Sequence, residues 1–199
     1  MDPSRNVNTP GVGLRLAGLT LGLCLLMLAN PTPADPQSAW QALRAGEAVL
    51  VLRHALAPGV GDPSDFALGD CATQRNLNDQ GRAQAAQWRA LLTENGIDEA
   101  RIYTSRWCRA RETAEGMGVG KVEPLPPLDS FFQARHQRET QTRDTRTFIN
   151  ELEHQGALVL VTHQVNILAL ANTNTRSNEG VILALPLTEP AEVLLKVLP

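Results

Sequence analysis

The chain has 199 residues, with 18 Lys and Arg against 21 Asp and Glu, for a formal net charge of −3. That length suits one domain with a proper core, and a near-neutral charge argues against a general nucleic-acid binder. Sixteen of the 18 basic residues are Arg, so an Arg outside a motif carries little weight.

The first 34 residues read as an export signal that stands apart from the fold. Arg5 and Arg15 flank a polar start, Leu16 to Ala29 is apolar, and Asn30-Pro31-Thr32-Pro33-Ala34 breaks any helix. The apolar run holds 14 residues, short of the ~20 that span a bilayer. Cleavage is therefore expected at Ala34, with Ala29 as a second candidate, leaving no stable membrane anchor. Leu23 is too bulky to precede a lipidated cysteine at Cys24. The expected address is periplasmic or secreted, with 35–199 as a single domain.

Pro36 to Ala45 predicts a short helix with Ala39, Trp40 and Leu43 on one side. Ala48-Val49-Leu50-Val51-Leu52 predicts a buried strand, about 47–53, that runs into Arg53 and His54. Residues 55–76 are rich in Gly, Pro and Asp and read as a long loop roofing a site. A helix follows over about 79–94, capped by Asn78 and ended by Gly96, with Ala85, Trp88 and Leu92 facing the core. A strand near 100–104 precedes an Arg-rich helix to about Glu115, capped by Ser105. Gly116 to Lys121 lacks the Walker pattern and reads as a turn. Pro124 to Phe132 reads as a loop and 138–155 as a polar helix. Ala157-Leu158-Val159-Leu160-Val161 predicts a strand into Thr162-His163, then a helix. Val181 to Leu185 and Glu192 to Leu198 close the sheet, as antiparallel strands. Alternating strands and helices predict a three-layer α/β/α sandwich with a mostly parallel central sheet.

Two strands each deliver a His at the carboxyl end, and an unpaired buried Arg53 guanidinium would cost about 3–5 kcal/mol. An anion held at the sheet edge resolves this. Arg106 and Arg109 lie three apart, on one helix face, and the helix amino end adds free N–H groups. Together these groups describe a phosphate site. His136 and His154 lie in polar helical surroundings and read as solvent exposed. No His or Cys cluster has metal-ligand spacing, so no metal or other cofactor is expected. Loss of Cys24 with the signal leaves Cys71 and Cys108 in an oxidising compartment. A disulfide between them would pin the loop to the Arg-rich helix; the alternative is two free buried thiols. Neither Cys is followed six residues later by Arg, which excludes a thiol-type phosphatase.

Leu52-Arg53-His54-Ala55 resembles the Arg-His signature of the histidine phosphatases, the phosphoglycerate mutase-like superfamily. Leu77 to Ala85 is similar to that family's Leu-Thr-x-x-Gly-x-x-Gln-Ala helix start. Thr104-Ser105 through Ala114 resembles its Ser-Pro-x-x-Arg-Ala-x-Gln-Thr-Ala block, with Arg106 in place of Pro and Glu112 in place of Gln. Val161-Thr162-His163 resembles its second His motif. The resemblance spans roughly residues 48 to 170, in the family's order. It implies a phosphoglycerate mutase-like fold and His54 as a nucleophile that forms a phosphohistidine. Arg53, Arg109 and His163 would then hold the phosphoryl oxygens. A carboxyl must serve the leaving group and the water. One family branch carries Asp directly after the second His; Gln164 stands there, which excludes it. The other carries a Glu after the third strand, a region occupied here by Asp129, with Asp62, Asp65 and Asp70 as rivals. The activity implied is hydrolysis of a small phosphomonoester. A mutase and a non-catalytic phosphate-binding or interaction module are the alternatives.

Overall fold

The computed structural model describes residues 35–153 and 155–199. The expected export signal and His154 lie outside the described residues. Helix α1 (Pro36–Ala45) starts where the Asp35 carboxylate accepts from Gln37 N and Pro36 takes the first position. Its Ala39, Trp40 and Leu43 are buried, the stripe the sequence predicts. Strand β1 (Ala48–Arg53) leads into the 55–76 loop, and α2 (Asp79–Glu94) is capped by Asn78, whose side chain accepts from Gly81 N. Then come β2 (Arg101–Thr104), α3 (Cys108–Met117) and β3 (Val122–Pro124). Helix α4 (Arg138–Glu151), β4 (Leu158–Thr162), α5 (Gln164–Ala171), β5 (Gly180–Ala184) and β6 (Val193–Val197) complete the order.

The strands form one six-stranded sheet in the order β3-β2-β4-β1-β5-β6. The first four are mutually parallel; β5 runs antiparallel to β1, and β6 antiparallel to β5. Alternation along each strand splits the core in two. Leu50, Leu52, Val159, Val161 and Ile182 pack with α1, α2 and α3 through Trp40, Trp88, Leu92 and Ala114. Val49, Val51, Leu158, Leu160, Val181 and Leu183 pack with α4 and α5 through Ile149, Ile167 and Leu170. This is the expected three-layer α/β/α sandwich.

The structure corrects three local expectations. Helix α3 begins at Cys108, with Trp107 at the cap position, and not directly after Ser105. The Ser105 hydroxyl accepts from Trp107 N two residues short of the helix, and the Gln74 side chain from the loop accepts from Cys108 N instead. Helix α4 stops at Glu151 and not at 155, because Leu152 turns extended to join the α4–α5 side of the core. Strand β3 occupies a stretch that reads as turn and loop. It is a three-residue edge strand ending in Pro124, too short to show a pattern and in a place where proline is tolerated.

Contacts with α2 and α3 hold the chain directly after β1. Ala55 N donates to Thr113 Oγ1 at 3.0 Å, and Leu56 N donates to Gln84 Oε1 at 3.0 Å. A Cβ on Gly81 would lie 2.1 Å from Leu56 O, so the first turn of α2 can approach this segment only as glycine. The Cys71–Cys108 disulfide joins the loop to α3, the bridge expected from the sequence. Three outcomes follow. Gly81→Ala should destabilise the protein by roughly 1–3 kcal/mol in urea unfolding, with a shifted Leu56 backbone. Denatured, unreduced protein should show no titratable thiol at Cys71 or Cys108. Replacing both by Ser should lower stability by roughly 4 kcal/mol on loop-closure grounds, given their separation of 37 residues.

Candidate active site

The parallel pairing of β1 with β4 puts Arg53 opposite Thr162, so the next residues, His54 and His163, emerge side by side. His54 N donates to Thr162 O at 2.9 Å, and the two imidazole rings meet edge-on with centroids 5.3 Å apart. Strand β2 lies on the far side of β4 and brings Ser105, whose N donates to Val161 O at 2.9 Å. Three neighbouring strands thus deliver their chemistry to one edge, as sheets of this type do at their carboxyl ends.

His54 is 3 % exposed. Its Nδ1 lies 2.7 Å from Ala55 O. A carbonyl can only accept, so this assigns the ring proton to Nδ1 and leaves a lone pair on Nε2. Arg109 Nε donates to that Nε2 at 3.3 Å. Burial above all, then the Arg109 charge, lowers the His54 pKa to about 3, against the opposing pull of the Ala55 carbonyl. His163 is likewise held well below its ordinary value by burial, then by His54 and Arg109. Its Nε2 lies 2.8 Å from Ser105 Oγ. Both imidazoles are neutral at physiological pH.

Arg53, His54, Arg109 and His163 line one cavity of about 230 Å³, so four of the residues named from the sequence converge. Arg53 Nη1 donates to Thr175 O at 2.8 Å, whereas its buried Nε finds no partner among the described residues. Arg109 is 2 % exposed. Gln164 and Val165, in the first turn of α5, also line the cavity.

Sequence reasoning missed Arg75, which enters from the loop and lines the same cavity. Its side chain is held by Gly61 O and Ala57 O. Burial and the neighbouring Arg109 charge lower the pKa of both Arg53 and Arg75. Nothing periodic marks a loop residue, and the closing of the loop over β1 alone brings Arg75 in. Asp62, one of the rival carboxyls, also lines the cavity and forms a buried ion pair with Arg109 at 2.6 Å.

Asp129 is 6 % exposed but is not part of the cavity lining. Its Oδ1 accepts from Arg106 N at 2.8 Å, and its Oδ2 accepts from Arg106 Nε at 2.8 Å and Nη2 at 2.6 Å. Ser105 Oγ also reaches Oδ1, at 3.3 Å. The carboxylate is consumed in holding the β2–α3 turn. Arg106 is consumed with it and does not join Arg109 at the cavity. Asp65 and Asp70 are exposed, and Asp70 caps a short turn through Ala72 N. His136 is exposed, as expected.

The model of the histidine phosphatase superfamily (branch 1) matches residues 49–131. No curated protein matches the sequence. Among solved structures, a protein assigned as the phosphohistidine phosphatase SixA of Agrobacterium tumefaciens aligns with a TM-score of 0.52 at 17% identity, covering 77% of this chain and 99% of that one. A mycobacterial glucosyl-3-phosphoglycerate phosphatase, solved with VO3, aligns with a TM-score of 0.53 at 16% identity, covering 76% and 98%. The product of an open reading frame of Mycobacterium tuberculosis aligns with a TM-score of 0.53 at 14% identity, covering 75% and 96%. The sequence match ends before β4; over residues 49–131 the chain is similar to the histidine phosphatase superfamily, and the solved structures share its fold.

Proposed function

We propose that the protein is a phosphomonoesterase acting through a phosphohistidine at His54, on a small phosphorylated substrate, in the periplasm or outside the cell. One observation carries this reading. A neutral His54, its lone pair on Nε2, sits among three guanidinium groups in a single cavity. An imidazole kept neutral by burial is a competent nucleophile at neutral pH. Arg53, Arg75 and Arg109 against the single carboxylate of Asp62 leave two net positive charges on the lining, which suits a phosphoryl dianion.

In this mechanism the phosphate enters with phosphorus facing His54 Nε2. The Arg109 Nε–H passes from Nε2 to a phosphoryl oxygen as phosphorus approaches. Arg53 turns its unmet Nε–H to the same group, and Arg75 adds charge from the roof. These donors meet the charge that develops on the equatorial oxygens, where each is worth about 3–4 kcal/mol in the transition state. Attack forms the Nε2–P bond and expels the alkoxide. Water then attacks the phosphohistidine from the vacated side and returns the electron pair to Nε2. The Cys71–Cys108 bond and the apolar run at 16–29 support an oxidising, exported address.

The decisive experiment is rapid-quench labelling with a radioactive phosphoester. Wild type should give an acid-labile, base-stable label on the peptide holding His54, and His54→Ala should give no label and no turnover. Arg109→Ala and His163→Ala should each slow turnover on the order of 100-fold or more while still labelling His54. Full activity of His54→Ala, or label on Ser, Asp or Cys, would overturn the reading.

A second outcome concerns acid stability. The unfolded His titrates near 6.5 and the folded His54 at about 3, so below pH 6.5 the unfolded state binds the extra proton. Stability should therefore fall as pH drops from about 6.5 towards 3, by about 2 kcal/mol at pH 5 for this one group. Urea unfolding of His54→Gln, which cannot titrate, should lose that much less than wild type between pH 7 and pH 5.

A further inference from the structure

We propose that Asp62 is the general acid and base of this site: it protonates the leaving oxygen and then deprotonates the attacking water. The proposal rests on the phosphohistidine reading above and names the carboxyl which that reading leaves open.

Position selects Asp62. Among the described residues it is the only carboxylate on the cavity lining. His54 forms the buried floor, and displacement at phosphorus puts nucleophile and leaving group on opposite sides. The leaving oxygen must therefore face away from the floor, towards the roof built by Gly59, Val60, Gly61 and Asp62. Val60, 89% exposed, marks the open rim of that roof. The loop is fastened so that Asp62 is held in place. Arg75 donates through N to Asp62 Oδ1 at 3.3 Å and through Nε to Gly61 O at 2.8 Å. The Cys71–Cys108 bond ties the loop to the helix that carries Arg109.

The free site already holds an anion where the substrate's phosphoryl oxygens bind. Asp62 accepts from Arg109 Nη1 at 2.6 Å through Oδ1 and from Nη2 at 3.2 Å through Oδ2, and Trp107 Nε1 donates to Oδ2 at 3.0 Å. The other end of the same guanidinium touches His54 Nε2. In this state Asp62 is ionised: burial would raise its pKa, but the Arg109 and Trp107 hydrogen bonds hold it below the ordinary value. An incoming phosphoryl group takes the Arg109 Nη donors. Asp62 then keeps its burial, loses its cation and gains a negative neighbour, all of which favour the protonated form. Substrate binding thus charges the acid.

The proton count closes. His54 Nε2 forms a bond to phosphorus, the P–O bond to the leaving group breaks, and the Asp62 proton goes to the leaving oxygen to give the free alcohol. Water then attacks phosphorus, its proton returns to Asp62, the P–N bond breaks, and the electron pair returns to Nε2. Release of inorganic phosphate restores the Asp62–Arg109 pair and frees the proton to solvent.

The test compares p-nitrophenyl phosphate, whose leaving group needs no proton, with glycerol phosphate, whose leaving group does. Asp62→Asn should slow the phosphorylation step, read as single-turnover release of the alcohol, on the order of 100-fold or more for glycerol phosphate and by under about tenfold for p-nitrophenyl phosphate, whose phosphohistidine should then accumulate because water loses its base. Asp129→Asn should leave the ratio of the two rates as in wild type. An equal loss on both esters, or a gain on both, would make Asp62 a mere placeholder on Arg109 and overturn the proposal. Should Asp62→Asn fail to fold by circular dichroism, Asp62→Glu keeps the charge and displaces the carboxyl. Its rate ratio should then shift by about tenfold or more, and an unchanged ratio overturns the proposal. Absence of label at His54 in wild type sinks this proposal together with its parent, whereas an unchanged ratio with His54 labelled sinks only this one.

Discussion

Like charges crowded into a small cavity set the terms for the rest of the molecule. Arg53, Arg75 and Arg109 share one space of about 230 Å³ with two neutral imidazoles. Unpaired guanidinium groups in such surroundings repel one another and lose hydration. The depressed pKa values of Arg53 and Arg75 express that tension. Part of it is relieved locally by the buried Asp62–Arg109 pair. The remainder leaves the cavity lining with an excess of positive charge. A site built this way must be held together by elements that do not depend on the ligand.

Those elements are hydrophobic and covalent. The apolar alternation of β1 and β4 locks the register that sets His54 beside His163. Thr113 and Gln84, the residues that resemble family motif positions in α3 and α2, act on the backbone. They accept the backbone N–H groups of Ala55 and Leu56 and so fix the direction in which His54 leaves the strand. The loop from Leu56 to Asn76 has little core of its own and is fastened to α3 by polar and covalent ties that include the disulfide, the Gln74 cap on Cys108 N, and the Asp62–Arg109 pair.

Two buried carboxylates beside the same helix play different parts because of what surrounds them. Asp129 meets the backbone and guanidinium of Arg106 and serves the β2–α3 turn. Through Ser105 it also stands behind His163, where a fixed hydroxyl orients the imidazole. Asp62 reaches the cavity because its loop folds over the sheet edge and its partner, Arg109, lines the same cavity. Arg106, which stands where the motif it resembles has Pro, supplies the cation that occupies Asp129.

Patterns within short stretches carried much of the answer in the sequence. Apolar runs ending in Arg53-His54 and Thr162-His163 placed two strands and their terminal His, because a two-residue alternation and a charged stop are local properties. Helices α1 and α2 were legible from caps and stripes, and four residues that line the cavity followed from motif order. Local pattern had no purchase on β3, on the early end of α4, or on the true start of α3, where Gln74 from a distant loop supplies the cap. It also could not rank the acidic residues: Asp62 and Asp129 are both aspartates in irregular segments, and nothing in their neighbours in sequence separates them. The tertiary structure separates their surroundings, by closing a disulfide-bound loop over the sheet edge, bringing Arg75 and Asp62 to the cavity and leaving Asp129 against Arg106. Strand and helix signals act over a few residues, whereas the electrostatics of a cavity depend on which distant segments share it.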